Sequence, residues 1–234
     1  MIDVKRDFQE RVNEIDLYFT FIEKIILKDS SLLFRNGRKE KIDADLSQIL
    51  RANGFLLLYN LVESCIKKSI EEIYFSIRRN GIKYDDVKDG IKKEIIKYLR
   101  SDKISPDTFI LLVNDIAQDI VEHCFSSERI FSGNVDAKKI RDAAAIYGFS
   151  TKTDKRKTKG GINLLTVKNR RNGLAHGDYS FRECGKDYTI QDMIKIKKEV
   201  TVYLKQILDN IENYINNFHN KILIIFNVIL FSII

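Results

Sequence analysis

Phe8, Val12, Ile15, Phe19, Ile22 and Ile26 recur at alternating spacings of four and three, which draws one apolar stripe along a first helix. Such a stripe needs a long partner. Residues 45–79 supply it: Ile66, Ile70, Ile73 and Ile77 repeat the helical spacing after the nearly unbroken apolar run from Phe55 to Leu58. A stretch that is apolar on all sides is expected to be the most buried helix of the domain, and Asn80-Gly81 ends it as a left-handed cap does. Two further helices are expected over 85–99 and 106–125, the second with Ser105 as N-cap and Pro106 at the first helical position. A short helix over 136–147 stops at Gly148, and 151–161 reads as a basic loop without apolar residues. A helix over 162–176 follows, closed by Gly177, and a polar loop leads to Thr189. Thr189 with Asp192 resembles a capping box, after which Met193, Val200, Leu204, Ile207, Ile211 and Ile215 give the last helix its apolar face.

The architecture expected from this pattern is all-α, a bundle of two long helices from the first half and two from the end. One proline and 11 glycines are too few turn residues for a sandwich or barrel of many short strands. A chain of 234 residues, 44% of them hydrophobic, suits one core. We expect a single domain over 1–217, with additional helices and the basic loop inserted at about 84–160, and a hydrophobic tail over 218–234. That tail is apolar from Ile222 to Ile234 except for Asn227 and Ser232. It falls short of the about 20 residues of a spanning helix, so no stable membrane insertion is expected. Cys65, Cys124 and Cys184 are odd in number and widely spaced, which fits reduced thiols better than a disulfide framework or a zinc site. Met1 to Phe8 alternates charged and apolar residues, unlike a signal peptide, so the cytoplasm is the expected location.

Charge narrows the choice of partner. Forty Lys and Arg against 33 Asp and Glu give a net charge of +7, which suits an anionic partner, nucleic acid first. Lys155, Arg156, Lys157 and Lys159 concentrate that charge in the basic loop, either as a solvated turn or as an arm that contacts RNA phosphates. His123, His176 and His219 are the three histidines, and no pair has metal-ligand spacing, so neither a metal nor a cofactor is expected. His176 stands apart because Arg170, Arg171 and Asn172 lie on the preceding turns. Asn172 and His176 share a helix face at four residues' separation, whereas Arg171 points off by about 140° and must reach into a flanked groove. A histidine at a helix C-terminus, where the macrodipole favours imidazolium, beside arginine is suited to moving protons at a phosphate. The bare spacing of arginine and histidine is weak; an Arg-Asn-x-x-x-His-Gly segment closing a helix in a basic, all-α chain is more specific. Asn53, Asn60 and Glu63 lie on neighbouring faces of the most buried helix. Glu63 or Asn60 is expected to support the arginine segment, with satisfied core polars as the alternative.

The segment from Val167 to Asp178, Val-Lys-Asn-Arg-Arg-Asn-Gly-Leu-Ala-His-Gly-Asp, resembles the RNxxxH signature of HEPN ribonucleases. Leu50 to Glu63 and Asp136 to Ser150 resemble the MAE-type HEPN-like nuclease branch, and the similarity runs from about Met1 to Asn217. The resemblance implies a dimerising antiparallel bundle whose two motifs meet in one cleft, and metal-independent RNA cleavage that leaves a cyclic phosphate. By motif position Arg171 and His176 would be catalytic, Asn172 would orient the site, and Arg170 would join the RNA-binding cations. It further implies a toxin or antiviral effector, with RNA, a second copy of the chain, and a neutralising antitoxin or defence-system protein as partners. The alternative is a non-catalytic HEPN module that binds nucleotides or proteins. Some HEPN toxins carry a modifiable tyrosine two residues after the histidine; here Asp178 holds that place and Tyr179 follows.

Overall fold

A computed structural model describes residues 1–27, 31–82, 84–99 and 134–231, with the side chains of these residues up to 217 except those of 85, 98 and 99. The expected helix over 106–125 with its cap at Ser105, together with His123 and Cys124, lies outside the described residues, as does the side chain of His219. The described chain is all-α apart from one small hairpin. Helix α1 spans Ile2–Leu27, strands β1 (Ser31–Leu33) and β2 (Lys39–Lys41) pair antiparallel, and α2 spans Ala44–Arg79. A 3₁₀ turn at Tyr84–Asp86 precedes α3 (Asp89–Leu99), so the helix expected from residue 85 starts four residues later. Then come α4 (Ala137–Tyr147), α5 (Lys155–Thr158), a 3₁₀ turn at Lys159–Gly161, α6 (Ile162–His176), α7 (Phe181–Lys186) and α8 (Ile190–Phe231).

Four of these helices make the bundle. Val4, Phe8, Val12, Ile15, Phe19 and Ile22 bury the predicted stripe of α1 against α2, from which Phe55, Leu58, Val62, Ile66, Ile70, Ile73 and Ile77 enter the core. Ion pairs show the directions: Met1 meets Glu72 and Asp7 meets Lys68, so α1 and α2 are antiparallel, and Lys5 meets Asp209 and Glu212 while Asp16 meets Lys197, so α8 is antiparallel to α1. The more exposed of these pairs, those of Lys5, Asp7 and Asp16, set register more than stability. Asn163 on α6 donates to Glu199 and Arg170 pairs with Asp187, which runs α6 against α8. The predicted face of α8, Met193, Val200, Leu204, Ile207, Ile211 and Ile215, is buried throughout.

Local signals fix the ends. Asp43 caps α2 by accepting from Leu46 N–H at 2.6 Å, and Asp192 with Thr189 forms the expected reciprocal cap of α8. Gly148 and Gly177 close α4 and α6 in the left-handed conformation. Two loop expectations are corrected. The basic loop holds a one-turn helix, α5, because Asp154 caps it at Arg156 N–H and the Thr158 side chain is buried beneath. The polar loop before Thr189 holds α7, started by a capping box of Ser180 and Glu183 and laid across the first turns of α2. Among the described residues, α2 is the one helix long and apolar enough to cross a membrane, and half of its most apolar window is buried inside the bundle.

Candidate active site

The residues entering α4 are tied to two bundle helices at once. Tyr59, on α2, accepts from the backbone N–H groups of Asn134 and Val135 at 2.6 and 3.1 Å, and Lys168 on α6 pairs with the α4 cap Asp136 at 2.5 Å. Asn134 takes the left-handed conformation, φ 75°, which suits asparagine. From there its side-chain oxygen accepts a hydrogen bond from Asn172. Burial works to raise the Asp136 carboxyl, but Lys168 and the capped N–H groups outweigh it and hold its pKa below the usual carboxylate range.

Arg171 lies across this junction. Its guanidinium sits over the face of Tyr59, 3.6 Å from the ring centroid, and one amino group reaches Glu63 at 3.6 Å. Cation–π attraction of this kind contributes about 0.5–2 kcal/mol according to desolvation. The reach that the helical period demanded is thus made toward α2. Glu63 meets the arginine segment, as expected, but Asn60 does not. It is exposed, and accepts from Arg11 on the α1 side of α2. Asn53 donates to the Ile49 carbonyl one turn back, as a satisfied helix polar does.

Two buried polar atoms in this cluster have no hydrogen-bond partner: Nε of Arg171 and Oδ1 of Asn172. Natural interiors leave few such groups. A donor and an acceptor on consecutive residues are therefore unspent, in the stretch of α6 that leads to His176. His176 itself is exposed on the last turn and makes no hydrogen bond among the described residues. The turn beneath it is braced: Tyr179 folds its ring onto Gly173, where an added Cβ would come within 2.3 Å, and donates to the carbonyl of Arg170 at 3.1 Å. Tyr179 therefore acts as a strut, its hydroxyl engaged and its pKa raised, chiefly by burial.

Arg170 is held as well. It donates to Tyr188, pairs with Asp187 at 3.0 Å, and lies over the rings of Tyr188 and Tyr179. Among the described residues its guanidinium ties α6 to the start of α8. Lys155, Arg156, Lys157 and Lys159 are exposed on and after α5, at the opposite end of α6 from His176. Fifteen residues of helix separate the ends, so the basic turn lies about 20 Å from the histidine along the axis. The sequence pattern missed Tyr59 and Asn134. For Tyr59 a signal existed in retrospect, an aromatic one turn before Glu63 on the same face of α2.

The Tyr59 contacts give a stability prediction. Tyr59→Phe keeps the ring under Arg171 but leaves two backbone N–H groups without an acceptor, which should cost about 1–3 kcal/mol in a urea melt. Tyr59→Leu should cost more, and a double-mutant cycle with Arg171→Ala should give a coupling of about 1 kcal/mol for the ring. A coupling near zero would mean that the stack contributes nothing.

The class defined by this fold and site is an all-α bundle whose motif helix ends in Arg-Asn-x-x-x-His, with the arginine anchored on a neighbouring helix and the histidine free at the surface. A family model described as HEPN_MAE_28990-like HEPN matches residues 3–219. The chain belongs to that HEPN family. The same comparisons found no match among curated proteins and none among solved structures.

Proposed function

We propose that the chain is a metal-independent endoribonuclease that cleaves RNA by transesterification at the Arg171, Asn172 and His176 site. The carrying observation is the pair of unspent polar atoms on consecutive residues, Arg171 Nε and Asn172 Oδ1, on the helix whose last turn presents the exposed imidazole of His176. In the reaction the 2′-oxygen bonds to the adjacent phosphorus while the bond from phosphorus to the 5′-oxygen breaks, giving a cyclic phosphate and a 5′-hydroxyl. His176 takes the 2′-hydroxyl proton, an acid returns a proton to the leaving oxygen, and the Arg171 guanidinium carries the charge of the phosphorane. Asn172, held by Asn134, orients the phosphate or the 2′-hydroxyl. Family membership supports a role as a toxin or defence effector in the cytoplasm, restrained by a neutralising partner.

Among the described residues one protomer offers one histidine at this site, and the reaction needs a base and an acid. A homodimer with the two α6 C-termini in one cleft supplies both, as a two-fold contact does. Randomly assorted dimers of equal wild-type and His176→Ala chains should then retain about one quarter of the activity. A retained half, scaling with the wild-type fraction, would show that each protomer works alone.

A further inference from the structure

A cleft of about 240 Å³ opens between the starts of α4 and α6. Its lining combines an apolar floor of Ala137, Ile162 and Leu165 with the cations Lys138 and Arg141 and the backbone of Gly160-Gly161. Ile162 and Leu165 are 64% and 44% exposed, high for large aliphatic residues on a helix in the middle of the chain. The two glycines are both left-handed, φ 65° and 81°, and keep side chains out of that wall. Lys138 and Arg141 make no ion pair among the described residues, and the acid that does line the cleft, Asp136, is neutralised by Lys168. Lys159 adjoins Gly160 in the chain, and the exposed cations of α5 lie within the five residues before that wall.

We propose that this cleft is a second RNA subsite, which takes an unpaired base of a single strand on Ile162 and Leu165 with its flanking phosphates on Lys138, Arg141 and the α5 cations. The inference rests on the reading of the chain as an RNA-cleaving enzyme. The volume equals that of about eight liquid waters, enough for one base ring system. Charge decides between RNA and a second copy of the chain. A two-fold contact here would set Lys138, Arg141 and the α5 turn against their own copies, and like charges facing each other across an interface oppose association. A polyanion meets no such penalty. The cleft lies at the far end of α6 from His176, about 20 Å away. At about 3.4 Å per stacked nucleotide, a strand filling both sites needs about six nucleotides. The subsite would therefore discriminate long single strands from short ones.

The test uses the full chain, a twelve-nucleotide single-stranded RNA and a dinucleotide that spans only the His176 site. In the Lys138→Glu, Arg141→Glu double variant, affinity for the long strand should fall about tenfold or more. The salt dependence should flatten by about 1.4 in log–log slope for two lost phosphate contacts. Leu165→Asp should weaken the long strand similarly, and both variants should cleave the dinucleotide at the wild-type rate. Binding of the long strand is measured on a His176→Ala background, so the cleft is tested even if wild-type protein cleaves nothing, an outcome that would overturn the nuclease reading alone. Unchanged affinity and slope in the variants would overturn the subsite. So would a Leu165→Asp protein that sediments as a monomer, where wild type is a dimer, while binding RNA normally. That result would assign the face to contact between copies.

Discussion

His176→Ala is expected to lower RNA cleavage by about 10²–10⁴-fold, the contribution typical of a positioned acid or base, while leaving the melting temperature within about 2 °C of wild type. The separation of the two readouts follows from placement. The imidazole is exposed and makes no hydrogen bond among the described residues, so its removal opens no cavity and orphans no partner. Arg171 is different. It is only 24% exposed and sits on Tyr59 beside Glu63, so Arg171→Ala should reduce both activity and stability, whereas a site at a helix end alone would have tolerated truncation. Arg171→Lys is the sharper probe. It keeps a charge near Glu63 but loses the planar donor fork and the stack, so activity should fall nearly as far as in the alanine protein while most of the stability returns. Full activity of the lysine protein would mean that a point charge is sufficient and the fork geometry irrelevant.

The largest stability effect is expected outside the motif helix, at Gly185. This residue lies buried in α7 against α2, where an added Cβ would fall 1.8 Å from the Gln48 carbonyl oxygen. A backbone carbonyl in a helix cannot swing aside, so α7 must lift from α2. Gly185→Ala should therefore cost about 3 kcal/mol or more, or roughly 6–12 °C in melting temperature for a chain of this size. Lifting α7 also breaks the bond from Arg51 to the Gly185 carbonyl and loosens Asp187 and Tyr188, which hold Arg170 on α6. Cleavage should decline with the loss of fold, not ahead of it. A melt within 1 °C of wild type would show that α7 does not pack as described.

What the sequence disclosed followed from period and punctuation. The stripe of α1, the core run of α2 and the face of α8 depend only on 3.6-residue spacing, and Gly148 and Gly177 mark helix ends because their left-handed φ excludes most other residues. The β1–β2 hairpin was hidden by its brevity, although Asn36-Gly37 is its turn and a recognised hairpin signal. Helix α7 escaped because a six-residue helix with an internal glycine has little propensity of its own; its contact with α2 makes it. At the site, residue chemistry in its helix-end context pointed to Arg171 and His176, and the resemblance to HEPN ribonucleases implied Asn172 beside them. Of the partners, Glu63 was expected as a polar residue on the most apolar helix, whereas Tyr59 on α2 and Asn134 before α4 were missed, because hydrogen bonds and ring contacts between distant segments are not written in the helical period. The same is true of Asn60: burial inferred from the apolar run around it failed because one edge of α2 faces Arg11 and solvent.

The chemistry of the cut ends tests the central claim most directly. Wild-type protein incubated with RNA in excess EDTA should produce fragments ending in a 2′,3′-cyclic phosphate on one side of the cut and a 5′-hydroxyl on the other, and His176→Ala protein should produce neither. Fragments with 3′-hydroxyl and 5′-phosphate ends, or cleavage that stops with chelator and returns with a divalent ion, would contradict it.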